Sequence, residues 1–297
     1  MMKNKPGFSQ RHPFVFGFIL ILAAVVLVTG AMAVFLWWRS GQLAFGQERI
    51  GVVHVQGTIA SSRKITNWID RLHRDKSVKG VIVRINSPGG VVAPAQEIHA
   101  ALKKVGSDKP VVVSMGSVAA SGGYYIACAA DRIVANPGSI TGSIGVKAKL
   151  ASFQELMGKV GISDQTVTSG ELKDAGSPTH PLTPKEKEYF QSLVDDLFNQ
   201  FLNAVIQGRG MDPEQARSIA DGRAFTGSQA KELGLVDIMG GMDRAVEEVQ
   251  NMAGIRERMS LVEGPKEEWS LWSLIFGQAR DPGISLWSDS DWQFRYE

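Results

Sequence analysis

The residue pattern predicts an α/β fold built on a largely parallel sheet, with a helical later part and one membrane-crossing helix ahead of it. Three observations carry this. Three apolar, β-branched runs begin about 30 residues apart with helical spacing between them, the repeat of βαβ units. A 25-residue stretch from Phe14 to Trp38 has no charge, which is long enough at about 1.5 Å per residue to cross a hydrocarbon core about 30 Å thick. After residue 183 the period changes from that of strands to that of helices.

Taken in order, residues 1–13 form a basic leader in which Lys3, Lys5 and Arg11 have no acidic neighbour. With the uncharged segment at 14–38 they orient the chain: positive flanks stay on the cytoplasmic side, so the N-terminus is expected in the cytoplasm. The part after the segment is then expected beyond the cell (inner) membrane, on the periplasmic or extracytoplasmic side. Ala31-Met32-Ala33 imitates a signal-peptide cleavage site, but Val34 to Trp38 prolong the apolar run past it, which favours an uncleaved anchor. Residues 39–49 read as a polar tether.

Ile50 to Gln56, Gly80 to Asn86 and Val111 to Met115 read as strands, with a weaker one at Arg132 to Ala135. Ile65, Ile69 and Leu72, then Ile98, Ala101, Leu102 and Val105, mark the intervening helices. Thr183-Pro184-Lys185-Glu186 is a capping box with proline at the first helical position. Its helix runs through Phe190, Leu197, Phe201 and Val205 to Gly208 and Gly210, and so broad an apolar stripe reads as core or subunit interface. Asp212-Pro213 and Thr226-Gly227 start two shorter helices that end near Gly222 and Gly234. One main domain is expected over 50–250. Residues 251–297 are expected to form an aromatic tail holding four of the seven tryptophans, packed on the domain, in an oligomer contact or on a membrane surface.

Composition narrows the function. The chain has 297 residues, 32 Lys+Arg, 30 Asp+Glu and one Cys; without the three leader cations the formal charge of +2 falls to about −1. A nucleic-acid footprint is not expected. Cys128 sits among small apolar residues and reads as a buried structural thiol. No G-x-x-x-x-G-K-[ST] phosphate loop is present.

Glycine-rich turns at 86–90, 119–125 and 138–145 follow strands, and turns leaving the carboxyl ends of parallel strands converge on one edge where ligands bind. Small residues surround Ser121, which leaves its hydroxyl uncrowded as a nucleophile; the same glycines serve tight turns and close packing equally well. A serine needs a base. Among His12, His54, His73, His99 and His180, only His180 falls in a loop beyond the membrane segment. A lysine can serve instead once its pKa is lowered from about 10.4 to about 7, at about 4–5 kcal/mol of differential interaction. From composition alone, Lys173 beside Glu171 and Asp174 reads as a solvated charge and Ser143 as a turn serine.

Four motifs in order, Asn86-Ser-Pro-Gly-Gly90, Met115 to Tyr125, Ile140-Thr-Gly-Ser-Ile-Gly145 and Ser169 to Ser177, make the chain similar to the signal peptide peptidase A (SppA) family of membrane-anchored serine proteases over roughly 50–250. That resemblance implies a Clp protease/crotonase-like fold of repeated ββα and βαβ units. It also implies a Ser-Lys dyad of Ser121 and Lys173, Ser143 orienting the lysine, and an oxyanion hole from backbone amides of Gly89 or Gly90 and of Gly122. Val91 stands where many relatives carry a third glycine, which leaves the choice between Gly89 and Gly90 open. The resemblance further implies remnant signal peptides and other apolar peptides as substrates, a homo-oligomer of single-copy subunits, and no metal or organic cofactor. A crotonase-like acyl-CoA enzyme and a non-catalytic membrane scaffold are the alternatives.

Overall fold

The computed structural model describes residues 12–39, 48–255, 259–265 and 294–296. The chain divides into two compact units, Met1–Gln47 and Glu48–Glu297.

In the first unit, α1 (Pro13–Arg39) is continuous through the expected 14–38 span and adds a residue at each end. At about 1.5 Å per residue its 27 residues reach about 40 Å. The side chains from Phe14 to Phe35 are almost all exposed, and the helix's length and composition suffice to cross a membrane. The expected tether lies largely outside the described residues.

The second unit is an eight-stranded sheet with helices on both faces. β1 (Arg49–Gln56), β2 (Val78–Ser87), β4 (Val111–Ala120) and β5 (Arg132–Ala135) form its centre, all parallel, as the spacing predicts. β9 (Ile238–Met239) and β10 (Ser260–Gly264) add parallel edges, giving the order β10-β1-β2-β4-β5-β9. Val81, Val83, Val111 and Val113 face a core closed by α2 (Arg63–Arg74), α3 (Val92–Gly106), α4 (Gly122–Ala127) and α6 (Pro184–Arg209). Ile50, Ile82, Val112 and Val134 face the other way, onto Ala245 and Val249 of α9 (Met242–Ala253). Burial on both faces is why these strands read as unbroken apolar runs rather than alternating ones.

α6 starts at the predicted capping box: Thr183 accepts from the Glu186 N–H while the Glu186 carboxylate accepts from the Thr183 N–H. It ends at Gly210, whose φ of +58° is the left-handed cap glycine tolerates. Half of its apolar stripe is core, with Phe190, Phe201, Leu202 and Val205 buried, while Tyr189 is exposed. α7 (Pro213–Ser218) and α8 (Gly227–Glu232) follow the expected start signals, Asp212 and Thr226 each capping an N-terminus.

Two features depart from the sequence reading. β4 continues past Met115 to Ala120, pairing first with β2 and β5 and then with β6 (Ile140–Gly142), which in turn meets β8 (Ala224–Thr226) antiparallel. The segment expected as a separate tail from residue 251 contributes to both sheets. β10 lies beside β1, and β11 (Phe294–Tyr296) sits between β3 (Gly90–Val91) and β7 (Lys147–Ala148) in a small antiparallel sheet. The tryptophan-rich stretch between them lies outside the described residues.

Candidate functional site

The carboxyl ends of β2, β4 and β6 lie side by side, which brings the three glycine turns to one edge. Ser121 follows β4 directly and begins α4. Its N–H donates to the Gly142 carbonyl at 2.8 Å, which fastens the turn holding Ser143 to the turn holding Ser121. Ser121 (φ 54°) and Ser143 (φ 49°) are the two non-glycine residues with positive φ among the described residues. For an L-residue this region costs about 1–2 kcal/mol and persists where the surroundings enforce it. The Ser121 hydroxyl is fully buried and has no hydrogen-bond partner among the described residues. It is held ready rather than committed to a structural bond.

The β2 turn packs against it. Gly89 has φ +117°, a conformation that favours glycine, and a Cβ there would lie 3.0 Å from both the Ser121 Cβ and the Gly122 nitrogen. A Cβ on Gly122 would in turn lie 3.3 Å from the Gly90 nitrogen. These glycines are therefore needed for close approach of backbone to backbone. The Gly89 N–H donates to the Ser87 Oγ at 3.1 Å and its carbonyl accepts from the Ile59 N–H at 2.9 Å, so the Gly89 amide is committed.

β11 roofs this space. Tyr296 lies opposite Gly90 in the ladder, and its carbonyl oxygen is 2.2 Å from where a Gly89 Cβ would be. Its side chain is fully buried against Tyr125 and Phe201. None of these three aromatic residues was singled out from sequence as a site residue. The available signals were the Tyr124-Tyr125 pair at the end of the Ser121 motif and a short apolar-polar alternation, Phe294-Arg-Tyr296, at the chain's end.

Lys173 stands apart. It is exposed in the turn around 170–176, with its N–H on the Gly170 carbonyl at 3.0 Å, and it makes no bond to the Ser121 hydroxyl within the chain. In the segment that precedes it in sequence, Phe153, Leu156, Val160, Ile162 and Val167 are exposed as well. The structure thus gathers Ser121, Ser143, Gly89, Gly90 and Gly122, and leaves Lys173 outside that cluster.

His180, the loop histidine, is occupied elsewhere. His180 Nδ1 donates to the Pro181 carbonyl at 2.9 Å, and Nε2 lies 3.3 Å from Asp174 and 3.9 Å from Glu186. The Pro181 carbonyl, with the two carboxylates, raises its pKa, and its ring nitrogens are engaged with these groups rather than with Ser121. Burial pushes the Cys128 thiol up to about 12, as expected of an inert, packed cysteine. Among the described residues no group of three or more His, Cys, Asp or Glu side chains is placed to hold a metal ion.

Residues 103–256 match the model of peptidase family S49, and residues 42–139 match that of the Clp protease family. A candidate protease of Synechocystis sp. is 40% identical over 224 residues, covering 74% of this chain and 81% of its own. A candidate protease of Methanocaldococcus jannaschii is 33% identical over 277 residues, covering 87% and 89%. The chloroplastic serine protease SPPA of Arabidopsis thaliana is 31% identical over 256 residues, covering 81% of this chain and 38% of the plant protein.

Proposed function

This chain belongs to peptidase family S49, and from that premise we propose that it is a membrane-anchored endopeptidase working through a Ser121–Lys173 dyad. The Lys173 amine removes the proton from the Ser121 Oγ, which attacks a peptide carbonyl. The tetrahedral oxyanion is held by backbone N–H groups, the amine leaving group takes a proton from the lysine, and water activated by the same lysine hydrolyses the acyl-enzyme. Gly90 and Gly122 are the better pair of oxyanion amides, because the Gly89 N–H is already bonded to Ser87. Ser143 sits one residue from the Gly142 carbonyl that fixes Ser121, a suitable place from which to orient the lysine.

The observation that carries this reading is the Ser121 hydroxyl: buried, unpartnered among the described residues, in strained backbone and on a residue packed against the glycine turn at Gly89. Lys173 needs a second element. A lysine acts as a base where its surroundings disfavour its charged form, burial above all, and within one chain Lys173 is exposed, as are the apolar residues Phe153, Leu156, Val160, Ile162 and Val167 that precede it. A homo-oligomer in which one subunit's arm brings Lys173 to the next subunit's Ser121 would bury both. The apolar α1 and the positively charged leader support a single-pass anchor with the catalytic unit outside the cytoplasm. Apolar peptides leaving the bilayer, remnant signal peptides above all, are the substrates such a placement favours. The acyl-CoA alternative gains no support from the family match.

Co-expression of Ser121→Ala and Lys173→Ala chains tests the shared site. Each variant alone is inactive, whereas mixed oligomers recover activity because some interfaces pair an intact serine with an intact lysine. No recovery in verified mixed oligomers would refute the sharing of the site.

A further inference from the structure

Lys173 lies in a stretch with neither strand nor helix, so its reach is set by whatever ties that stretch down. Its own turn is held by short-range bonds, from the Lys173 N–H to the Gly170 carbonyl at 3.0 Å and from the Ser177 N–H to the Asp174 carbonyl at 3.1 Å. Two carboxylates flank it, Glu171 and Asp174, and neither pairs with Lys173 among the described residues. Each is drawn instead toward the first turn of α6. Glu171 pairs with Lys185, while Asp174 lies 3.3 Å from the His180 Nε2, which is in turn 3.9 Å from Glu186.

The two ties are unequal. Lys185 and Glu171 are 58% and 69% exposed, and so exposed a pair holds little. His180 and Asp174 are 32% and 34% exposed and Glu186 only 7%. Glu186 is also fixed, since its carboxylate accepts from the Thr183 N–H at 2.7 Å in the capping box. His180 Nδ1 donates to the Pro181 carbonyl at 2.9 Å while Nε2 faces the two carboxylates. Acceptors thus stand at both ring nitrogens, and only the protonated ring donates from both. The charged groups that interact with the ring are all acidic: Asp174 of the lysine turn, Glu186 of α6, and Asp164, whose carboxylate accepts from Thr166 and Thr179.

We infer that His180 is a positioning residue for Lys173: its protonated ring bridges Asp174 to the fixed Glu186, which anchors the lysine turn to α6 and keeps the neighbouring carboxylate engaged away from the lysine amine. The inference rests on Lys173 being the base. A misplacement of about 1 Å can cost about 100-fold in rate, and a free carboxylate beside a lysine favours its charged, unreactive form. Loss of the ring's proton therefore costs activity twice, through reach and through the lysine's charge. The His180 pKa is raised, by the Pro181 carbonyl first and then by Glu186 and Asp174, so the bridge is complete at about pH 5.5 and largely lost by about pH 9.

The test compares kcat/KM of wild type, His180→Arg and His180→Gln, each as the full chain in detergent and eluting as a folded oligomer, on one internally quenched apolar peptide at about pH 5.5 and about pH 9. Ratios taken at one pH cancel the ionisations common to all three proteins. Arginine keeps its charge throughout, so the ratio of His180→Arg to wild type rises at least about fivefold between the two pH values. Glutamine is never charged, so wild type exceeds His180→Gln by about tenfold or more at the lower pH and by less than about twofold at the higher. A histidine that merely supports the fold gives ratios indifferent to pH, and that result overturns the inference. Should these variants not assemble, Asp174→Asn reads the bridge from its other end: the ratio of wild type to Asp174→Asn falls as pH rises, and a constant ratio overturns the inference. Lys173→Ala separates the two levels. Activity that survives it removes the base and this inference together, whereas an inactive Lys173→Ala beside pH-indifferent ratios removes the role of His180 alone.

Discussion

Replacing Ser121 by alanine should abolish activity and yet make the protein more stable. The wild-type hydroxyl is fully buried with no partner among the described residues, a state that costs about 1–3 kcal/mol relative to a satisfied group. Ser121→Ala removes that cost, leaves the Cβ and the strained φ of 54° in place, and opens a void of only one oxygen atom. The net gain is about 1–2 kcal/mol, which for a folded unit of this size raises Tm by about 2–6 °C. Ser121→Gly relieves the backbone as well, by about 1–2 kcal/mol, against the greater chain entropy of glycine, about 0.5–1 kcal/mol. It should therefore be at least as stable as the alanine variant. Thermal unfolding of the detergent-solubilised full chain, followed by tryptophan fluorescence at one scan rate, measures all three proteins. A Tm for Ser121→Ala equal to or below wild type would mean that the hydroxyl is satisfied and that the site is not built around an uncommitted serine.

Other perturbations probe the neighbouring elements. Gly89→Ala places a methyl group 2.2 Å from the peptide carbonyl in the cleft at a φ of +117°, and should lower kcat/KM by at least about 100-fold with oligomerisation intact; a loss under fivefold would show that the turn has room. Gly208→Ala drives a Cβ to 2.2 Å from the Cys128 carbonyl oxygen and 2.9 Å from its Cβ, and should destabilise by about 2–3 kcal/mol despite alanine's better helix propensity. Denaturant unfolding reads that loss, and an unchanged midpoint would contradict the close contact between α6 and the Cys128 turn. His180 has its pKa raised by the Pro181 carbonyl, Glu186 and Asp174, so its contribution to stability is complete below about pH 6.5 and fades as pH rises through the higher folded-state value. Its NMR titration midpoint should lie above 6.5 and fall in Asp174→Asn; a wild-type midpoint at or below 6.5 would contradict the contacts.

The central strands were legible because both of their faces are buried, which leaves β-branched runs such as Val111-Val-Val that nothing but a covered strand explains. The caps of α6, α7 and α8 were legible because capping is local chemistry. β4 was read as ending too early since Gly116-Ser117 interrupts its apolar run, although β6 continues to pair with it at Val118 to Ala120. β10 escaped because an edge strand with Ser260, Leu261 and Glu263 exposed has no hydrophobic pattern to betray it. β11 escaped for a different reason: three residues far along the chain are ordered by the cleft they enter, a long-range match that no local window carries. The same division runs through the site. Ser121, Ser143 and the glycines belong to turns that close on one another within one chain, whereas the base proposed for them, Lys173, depends on contacts a single sequence does not display.

The most direct test of the account is the intact mass of the full chain after fluorophosphonate treatment, measured beside Ser121→Ala and Lys173→Ala in oligomeric, folded preparations. The account predicts one adduct on wild type, located at Ser121, and none on either variant. Labelling that survives Lys173→Ala would contradict the dyad, and absence of label on wild type would contradict an activated serine altogether.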